Sequence, residues 1–187
     1  MWPVRGTTSG PARLWKTGQT LCYDSIGSAI DCAGTGQDGE TQAGIAWPSP
    51  RFVEGADGTM ADTLTGLVWS TDGLAPAPAA CKPGVTKTLQ GALDLIRCLN
   101  AHGHLGRQDW RLPNRNELAT LVHRGQADSA AWLRAQGFAR VQPASYWSSS
   151  TFARATWNGW SVNLHDGAVT TYAKTHGINV WPVRGGQ

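Results

Sequence analysis

The chain has 187 residues with 10 Trp, 23 Gly and 10 Pro, only 16% of its residues are charged, and its formal net charge is +3 at pH 7. Many aromatic residues combined with so little charge argue against a disordered chain. Frequent Gly and Pro disfavour coiled coils and helical solenoids. The small, dispersed net charge does not indicate nucleic acid as a partner. No run of 18 apolar residues is present, so we expect no membrane insertion.

Residues 1–50 are predicted to form a loop-rich N-terminal segment, because Gly, Thr, Ser and Pro dominate much of it. Near its start, Trp2–Gly6 repeats the pentapeptide Trp181–Gly185. We interpret this copy as the tail of a preceding homologous domain or as a matching strand at the opposite end of the same domain. Residues 1–6 show neither the basic nor the apolar region of a signal peptide.

The four cysteines, Cys22, Cys32, Cys81 and Cys98, are widely spaced and contain no CxxC pair. Two disulfides between sequence neighbours are the leading interpretation, Cys22–Cys32 closing a short hairpin and Cys81–Cys98 tying a loop to the end of a helix. Such bonds predict an oxidising compartment, outside the cell or at its surface. Four reduced, mostly buried thiols are the alternative, and the cytoplasm of a thermophile is an exception to the compartment rule.

The domain core is predicted to begin near Arg51 and to continue to residue 187. Its first strand candidates are Phe52–Val53, Gly58–Met60 and Leu67–Trp69, which Asp-Gly and Thr-Gly turns separate. Two helices follow. The first is predicted over Thr88–Asn100, because apolar side chains recur there at helical spacing.

The second helix is predicted to begin at Asn114, because Glu117 three residues later completes a capping-box pattern. After about residue 143 the helical period is lost, and short runs separated by glycine turns predict strands. These runs are 146–149, 160–164, 168–172 and 178–181. Strands, two helices and further strands give an α+β fold class.

Several motifs resemble those of one family, the Lcl C-terminal-like domain. The resemblance is carried by Arg51-Phe52, Asp57-Gly58-Thr59, Asp62, Leu64–Trp69, Asp109–Asn114, Glu117-Leu118, Tyr146–Ser150 and Val180–Gly186. It implies a C-type-lectin-like fold over residues 51–187, in which the segment from Lys16 to Pro50 is the leader that precedes many such domains.

Within this family, the Tyr-Trp-Ser-Ser-Ser and Trp-Pro-Val-Arg-Gly-Gly motifs resemble the borders of the segment that diversity-generating retroelements rewrite, here about 145–182. These elements substitute bases at template adenines, so AAC codons become hypermutable but can never encode Glu, Gln, Met, Lys or Trp. Residues 153–179 contain no Glu, Gln or Met, which is compatible with that history. Lys174, Trp157 and Trp160 would then be framework residues or come from other codons.

The resemblance and strand alternation together predict a set of variable, ligand-binding residues. Alternation places Trp160, Val162 and Leu164 towards the core, with Ser161 and Asn163 towards a ligand. The predicted set is Arg154, Thr156, Asn158, Ser161, Asn163, His165, Asp166, Thr170, Thr171, Tyr172, Thr175, His176, Ile178 and Asn179. The bland alternative is an ordinary polar sheet face that binds nothing.

This resemblance predicts a non-enzymatic, receptor-like domain that needs no cofactor and binds a protein or another surface-exposed ligand. The alternative is a fixed-specificity adhesin or carbohydrate-binding domain of the same fold. An enzyme is the third candidate, since formylglycine-generating oxidases share this fold class. Their reactive cysteines lie in the C-terminal part of the domain, whereas here no cysteine follows Cys98.

Other candidate sites are weaker. Asp109 and Glu117 could form an acid pair, but Glu117 is explained by helix capping. The histidines His102, His104, His123, His165 and His176 lack acidic or cysteine partners at metal-ligand spacing, so no metal site is expected. Asp57-Gly58 with Asp62 fits a hairpin turn better than a calcium loop, and the calcium-dependent sugar motifs of C-type lectins are missing.

Overall fold

The structure is a computed structural model that describes residues 14–75 and 77–185, and it confirms the α+β fold class. The repeat copy Trp2–Gly6 lies outside the described residues. Three antiparallel sheets are present in the described part of the chain. Their strands are β1 (Cys22–Tyr23), β2 (Ala29–Ile30), β3 (Phe52–Glu54), β4 (Thr59–Asp62), β5 (Leu67–Ser70), β6 (Ser145–Thr151), β7 (Asn158–Asn163), β8 (Val169–Ala173) and β9 (Val183–Arg184).

Both predicted helices are confirmed, and two shorter ones were not predicted. The helices are α1 (Asp38–Thr41), α2 (Leu89–Ala101), α3 (Arg115–Ala119) and α4 (Ser129–Ala135). Asn114 accepts hydrogen bonds from the N–H groups of Asn116 and Glu117, and Glu117 accepts one from the N–H of Asn114, so the capping box is present. No helix in the described ranges is long and apolar enough to cross a membrane.

One sheet has the order β3-β4-β5-β9 and the other β6-β7-β8, while β1 and β2 form a separate hairpin. The prediction of a strand over 178–181 is wrong. That segment makes only isolated bridges, from Ile178 to Lys87 and from Asn179 to Tyr146, because it passes between two elements instead of following one of them. The last strand is β9, which pairs with β5.

Both disulfide pairings are confirmed. Cys22–Cys32 closes the β1–β2 hairpin, and Cys81–Cys98 links a short 3₁₀ turn to α2. The described residues contain no free cysteine. Two such bonds fit an extracellular protein, where oxidising conditions preserve them.

The buried side chains form two hydrophobic clusters, one on each side of the β6–β8 sheet. The large cluster lies between the two main sheets, α3 and α4, and its aromatic members are Phe52, Trp69, Phe138, Tyr146 and Trp181. The α2 cluster joins that helix to the sheet and includes Leu89, Leu95, Ile96, Leu99, Trp110, Trp147, Ile178 and Val180.

A buried ion pair links the first sheet to α3. Arg51 Nη2 donates to Asp62 Oδ2 at 2.9 Å and to the Thr120 carbonyl at 2.7 Å, and the two charged side chains are only 3% and 0% exposed. The guanidinium also lies 4.5 Å from the ring of Trp47. Trp47 contacts Trp132 of α4 with ring centroids 5.6 Å apart, so the N-terminal segment packs onto the core around Arg51.

Asp62→Ala should destabilise the fold by about 3–5 kcal/mol, because removing one partner of a buried pair leaves the charge of Arg51 uncompensated. Asp94→Ala is the matched control, since Asp94 pairs with Arg97 on the surface, where the side chains are 54% and 71% exposed. The control should change stability by about 0.5 kcal/mol or less. Urea unfolding checks both, and equal effects would contradict the assigned role of Arg51.

Candidate functional site

The predicted ligand-binding residues differ widely in exposure. Arg154, Thr156, His165, Asp166, Thr170, Thr175 and His176 are exposed. Asn158, Asn163, Thr171, Tyr172 and Asn179 are half-buried, whereas Ser161 and Ile178 are buried. The structure therefore leaves most of the predicted set within reach of a ligand, with two clear exceptions.

The expectation that Ser161 and Ile178 face a ligand is wrong. Ser161 lies opposite Trp147 in the central strand β7 and is 0% exposed, and its hydroxyl donates to the Thr170 carbonyl. Ile178 belongs to the α2 cluster. Simple alternation fails here because each face of the sheet carries its own hydrophobic cluster.

Trp160 also differs from its predicted role. Val162 and Leu164 are fully buried as expected, but Trp160 is only half-buried. Its ring packs edge-on against Phe152 at 5.2 Å, and the Arg115 guanidinium lies 4.9 Å from its centroid. Trp160 therefore shapes the surface at the end of the sheet instead of filling the core.

Six of the seven exposed predicted residues fall into two groups at opposite ends of the β7–β8 hairpin, and the seventh, Thr170, lies within β8. Arg154, Thr156, Thr175 and His176 lie at the end where the β6–β7 loop meets the segment after β8. His165 and Asp166 lie in the β7–β8 turn at the other end. Six residues of β7 separate the groups, which corresponds to about 20 Å in an extended strand.

The first group belongs to what we call the loop-end surface, formed by Arg154, Thr156, Trp157, Asn158, Lys174, Thr175 and His176. Main-chain hydrogen bonds hold its backbone: Phe152 N–H donates to Asn158 O at 3.0 Å, Asn158 N–H to Ala155 O at 2.8 Å, and Lys174 N–H to Trp157 O at 2.9 Å. In the described structure, no side-chain hydrogen bond involves the five predicted residues of this surface. Their identity can change without loss of the bonds that fix the loop.

Aromatic groups dominate this end of the sheet. Trp157 is 70% exposed, and the rings of Tyr172 and His176 stack with centroids 5.3 Å apart. Beside them is an open hollow of about 300 Å³, lined by Thr88, Leu89, Gln90, Leu93, Lys174 and Thr175. The surface therefore offers a large apolar contact with polar groups around it, an arrangement suited to binding.

The second group stabilises its own turn. Asn163 Oδ1 accepts a hydrogen bond from His165 N–H at 2.8 Å, and Asp166 Oδ1 accepts one from Ala168 N–H at 2.8 Å. His165 Nδ1 lies 3.6 Å from a carboxylate oxygen of Asp128 at the start of α4. Substitutions at Asn163 or Asp166 would therefore disturb the local backbone as well as a ligand contact.

Asp109 and Glu117 are separate and each has an arginine partner. Asp109 binds Arg184 at 2.9 Å, and this hydrogen bond lowers the pKa of its carboxyl. Burial opposes ionisation of Glu117, but the hydrogen bonds from Arg111 and from the Asn114 N–H outweigh it, so the pKa of Glu117 is also lowered. Both carboxyl groups are structural ion-pair partners in this arrangement.

One group of potential metal ligands occurs in the described residues, Cys81, Cys98 and His102, whose ligand atoms lie within 4.8 Å of one another. The two cysteines are joined in a disulfide and supply no thiolate. His102 Nδ1 instead lies 2.9 Å from the Cys98 carbonyl. This arrangement is a helix end closed by a disulfide.

Sequence reasoning missed two contributors to the site. Trp157 had no assigned role, because it lies in a loop where no alternation applies. The Arg115–Trp160 contact joins α3 to β7, and the two residues are 45 positions apart in the chain. Local sequence patterns cannot predict a contact between residues so far apart.

Comparison with known families identifies the domain. The family model of the Lcl C-terminal domain matches residues 58–184, from the first main hairpin to the last strand. The chain therefore belongs to the Lcl C-terminal domain family. No curated protein matches the chain.

Trp147→Ala should destabilise the domain by about 3–5 kcal/mol, because it empties a fully buried position and removes the hydrogen bond from Trp147 Nε1 to the Lys87 carbonyl. Trp157→Ala is the matched control of identical chemistry on the loop-end surface. Its loss should cost about 0.5 kcal/mol or less. Thermal and urea unfolding compare the two, and a comparable loss from Trp157→Ala would contradict the assignment of that residue to the surface.

Proposed function

We propose that this domain is a non-enzymatic, ligand-binding receptor module that acts at the cell surface or outside the cell. The proposal rests chiefly on one observation: main-chain bonds hold the backbone of the loop-end surface, and its predicted variable side chains take no part in them. A binding site of this kind can change its side chains while the fold stays intact. The two clusters and two disulfides stabilise the fold from elsewhere.

We further propose that the fold is C-type-lectin-like and that the domain is the variable protein of a diversity-generating retroelement. Its family, its framing motifs and the lack of Glu, Gln and Met in 153–179 support this. The burial pattern narrows the variable positions expected to contact ligand. They are Arg154, Thr156, Asn158, Thr175 and His176 on the loop-end surface, with Thr170, Thr171 and Tyr172 on β8.

The chemistry of this surface favours recognition by shape, stacking and hydrogen bonds. Segment 153–179 contains only Arg154, Asp166 and Lys174 as charged residues. Thr, Asn, His and Tyr supply adaptable polar contacts like those of antibody paratopes. Trp157, which AAC mutagenesis cannot produce, adds a constant aromatic contact at the centre of the changing set.

Trp157 also supports a second candidate, a fixed-specificity adhesin or carbohydrate-binding domain. A constant, 70% exposed indole ring offers a flat apolar face to any ligand that can stack on it. Genomes of one lineage separate the two candidates, because fixed specificity requires identical residues at the loop-end positions.

Sequencing the locus tests diversification directly. We expect a near-copy of the coding segment for 145–187 and an adjacent reverse-transcriptase gene. Differences from the template should concentrate at codons of the loop-end surface and β8, and the codons of Ser161 and Ile178 are internal controls that should match it, because their side chains are buried. Absence of both template and reverse transcriptase would refute diversification, and differences mainly at the two control codons would refute the assigned surface.

A further inference from the structure

The outer edge of β8 carries backbone groups that no other strand satisfies. Asn163 N–H donates to Ala168 O at 2.8 Å, and Lys174 N–H donates to Trp157 O at 2.9 Å, so the even-numbered residues from 168 to 174 face β7. Val169, Thr171 and Ala173 then direct their N–H and C=O groups outwards. Across the described ranges, only the Ala173 carbonyl among these groups accepts a bond, from His176 N–H at 2.8 Å.

This edge lacks the features that usually prevent strand pairing. Natural edges carry charges, proline or a bulge. The five residues of β8, Val-Thr-Thr-Tyr-Ala, include no charge, proline or glycine, and their pairing with β7 is regular. Val169 at the start of the strand is 40% exposed. Such a strand is ready to accept another strand along its free side.

We propose that a second copy of this chain pairs with β8 along this edge, antiparallel and with Thr171 opposite Thr171 of the second copy. In that register the outward groups of Val169 face those of Ala173 of the second copy. The three outward residues then form hydrogen-bonded pairs about a two-fold axis, and the two β6–β8 sheets join into one continuous sheet. The outward groups of the edge are therefore self-complementary, as a two-fold interface between identical chains requires.

The charges that flank the strand fit this arrangement. Asp166 precedes β8, and Lys174 follows it. An antiparallel pair places the acidic flank of one copy beside the basic flank of the other, with Lys174 opposite Ala168, two positions from Asp166. A parallel pair would instead bring like charges together, which is unfavourable. The flanks therefore favour the two-fold register.

The dimer would also bring together the two groups of exposed predicted residues. In one copy, the strand β7 separates His165 and Asp166 from Thr175 and His176, and its length sets their distance at about 20 Å. In the antiparallel pair, the turn of each copy lies beside the loop-end surface of the other. This consequence rests on the proposed binding function, whereas the pairing itself does not depend on it.

Analytical ultracentrifugation of the purified chain at increasing concentration tests the pairing. A five-residue edge buries less area than a standard interface, so we expect a reversible dimer that forms in roughly the micromolar range. Thr171→Lys places two like charges face to face on the axis and should weaken association by at least about tenfold. Thr41→Lys is the matched control, with the same added charge at an exposed position of α1, which contacts β1 of the separate hairpin, and should dimerise like the parent chain.

A second variant and a site-specific measurement complete the test. Thr171→Pro removes an outward N–H that does not bond to β7, so it should abolish the dimer and keep the melting temperature of the monomer. Amide exchange at Val169, Thr171 and Ala173 should slow as concentration rises, while exchange at Thr170 and Tyr172 stays constant. A monomer at all concentrations up to about 100 µM, or a dimer that both Thr171 variants leave intact, would overturn the proposal. Neither result bears on ligand binding by the loop-end surface.

Discussion

Two neighbours in strand β6, Tyr146 and Trp147, point into opposite hydrophobic clusters, and both are fully buried. Tyr146 packs against Trp181 in the large cluster, with ring centroids 5.7 Å apart. Trp147 reaches the α2 cluster, where its Nε1 donates to the Lys87 carbonyl at 2.7 Å. These two contacts fix the β6–β8 sheet between the clusters, so both faces of its central strand are covered. The ends of the sheet and the partly exposed edge strand β8 remain available for binding.

This constraint separates stability from recognition within one domain. The residues that hold the fold together are the clustered tryptophans, the Arg51–Asp62 pair and the capped helix α3. The loop-end surface consists of side chains that make no hydrogen bond to that structure within the described residues. The proposed diversification of the C-terminal segment needs such a division, because most substitutions in a close-packed interior are destabilising.

Much of the fold could be predicted from local patterns. The capping box at Asn114 located α3, the apolar spacing located α2, and the cysteine spacing gave both disulfides. Helix α4 was missed because its seven residues are too short for a clear period, although Asp128 accepts a bond from the Ala131 N–H as its cap. The expected C-type-lectin-like fold and the variable segment at about 145–182 came from the resemblance to the family, because no local pattern indicates either.

The errors at Ser161 and Ile178 have one physical cause. Alternation assumes a sheet with one buried and one solvated face, so it assigned Ser161 to the ligand. A second cluster on the other face buries Ser161 and Ile178. Trp160 is half-buried for a different reason, because it lies at the end of the sheet beside Phe152 and Arg115. The bridges that hold Ile178 and Asn179 join segments far apart in the chain. Contacts of that kind depend on how the clusters pack and leave no trace in residue spacing.

The central claim is that the loop-end surface can vary without cost to the fold. A display library tests it most directly: Arg154, Thr156, Asn158, Thr175 and His176 are randomised to residues that AAC codons can reach, and protease resistance reports the folded fraction. A second library randomises Ser161 and Ile178 in the same way. The account predicts that most members of the first library and few of the second stay folded. Loss of folding in most members of the first library would contradict it.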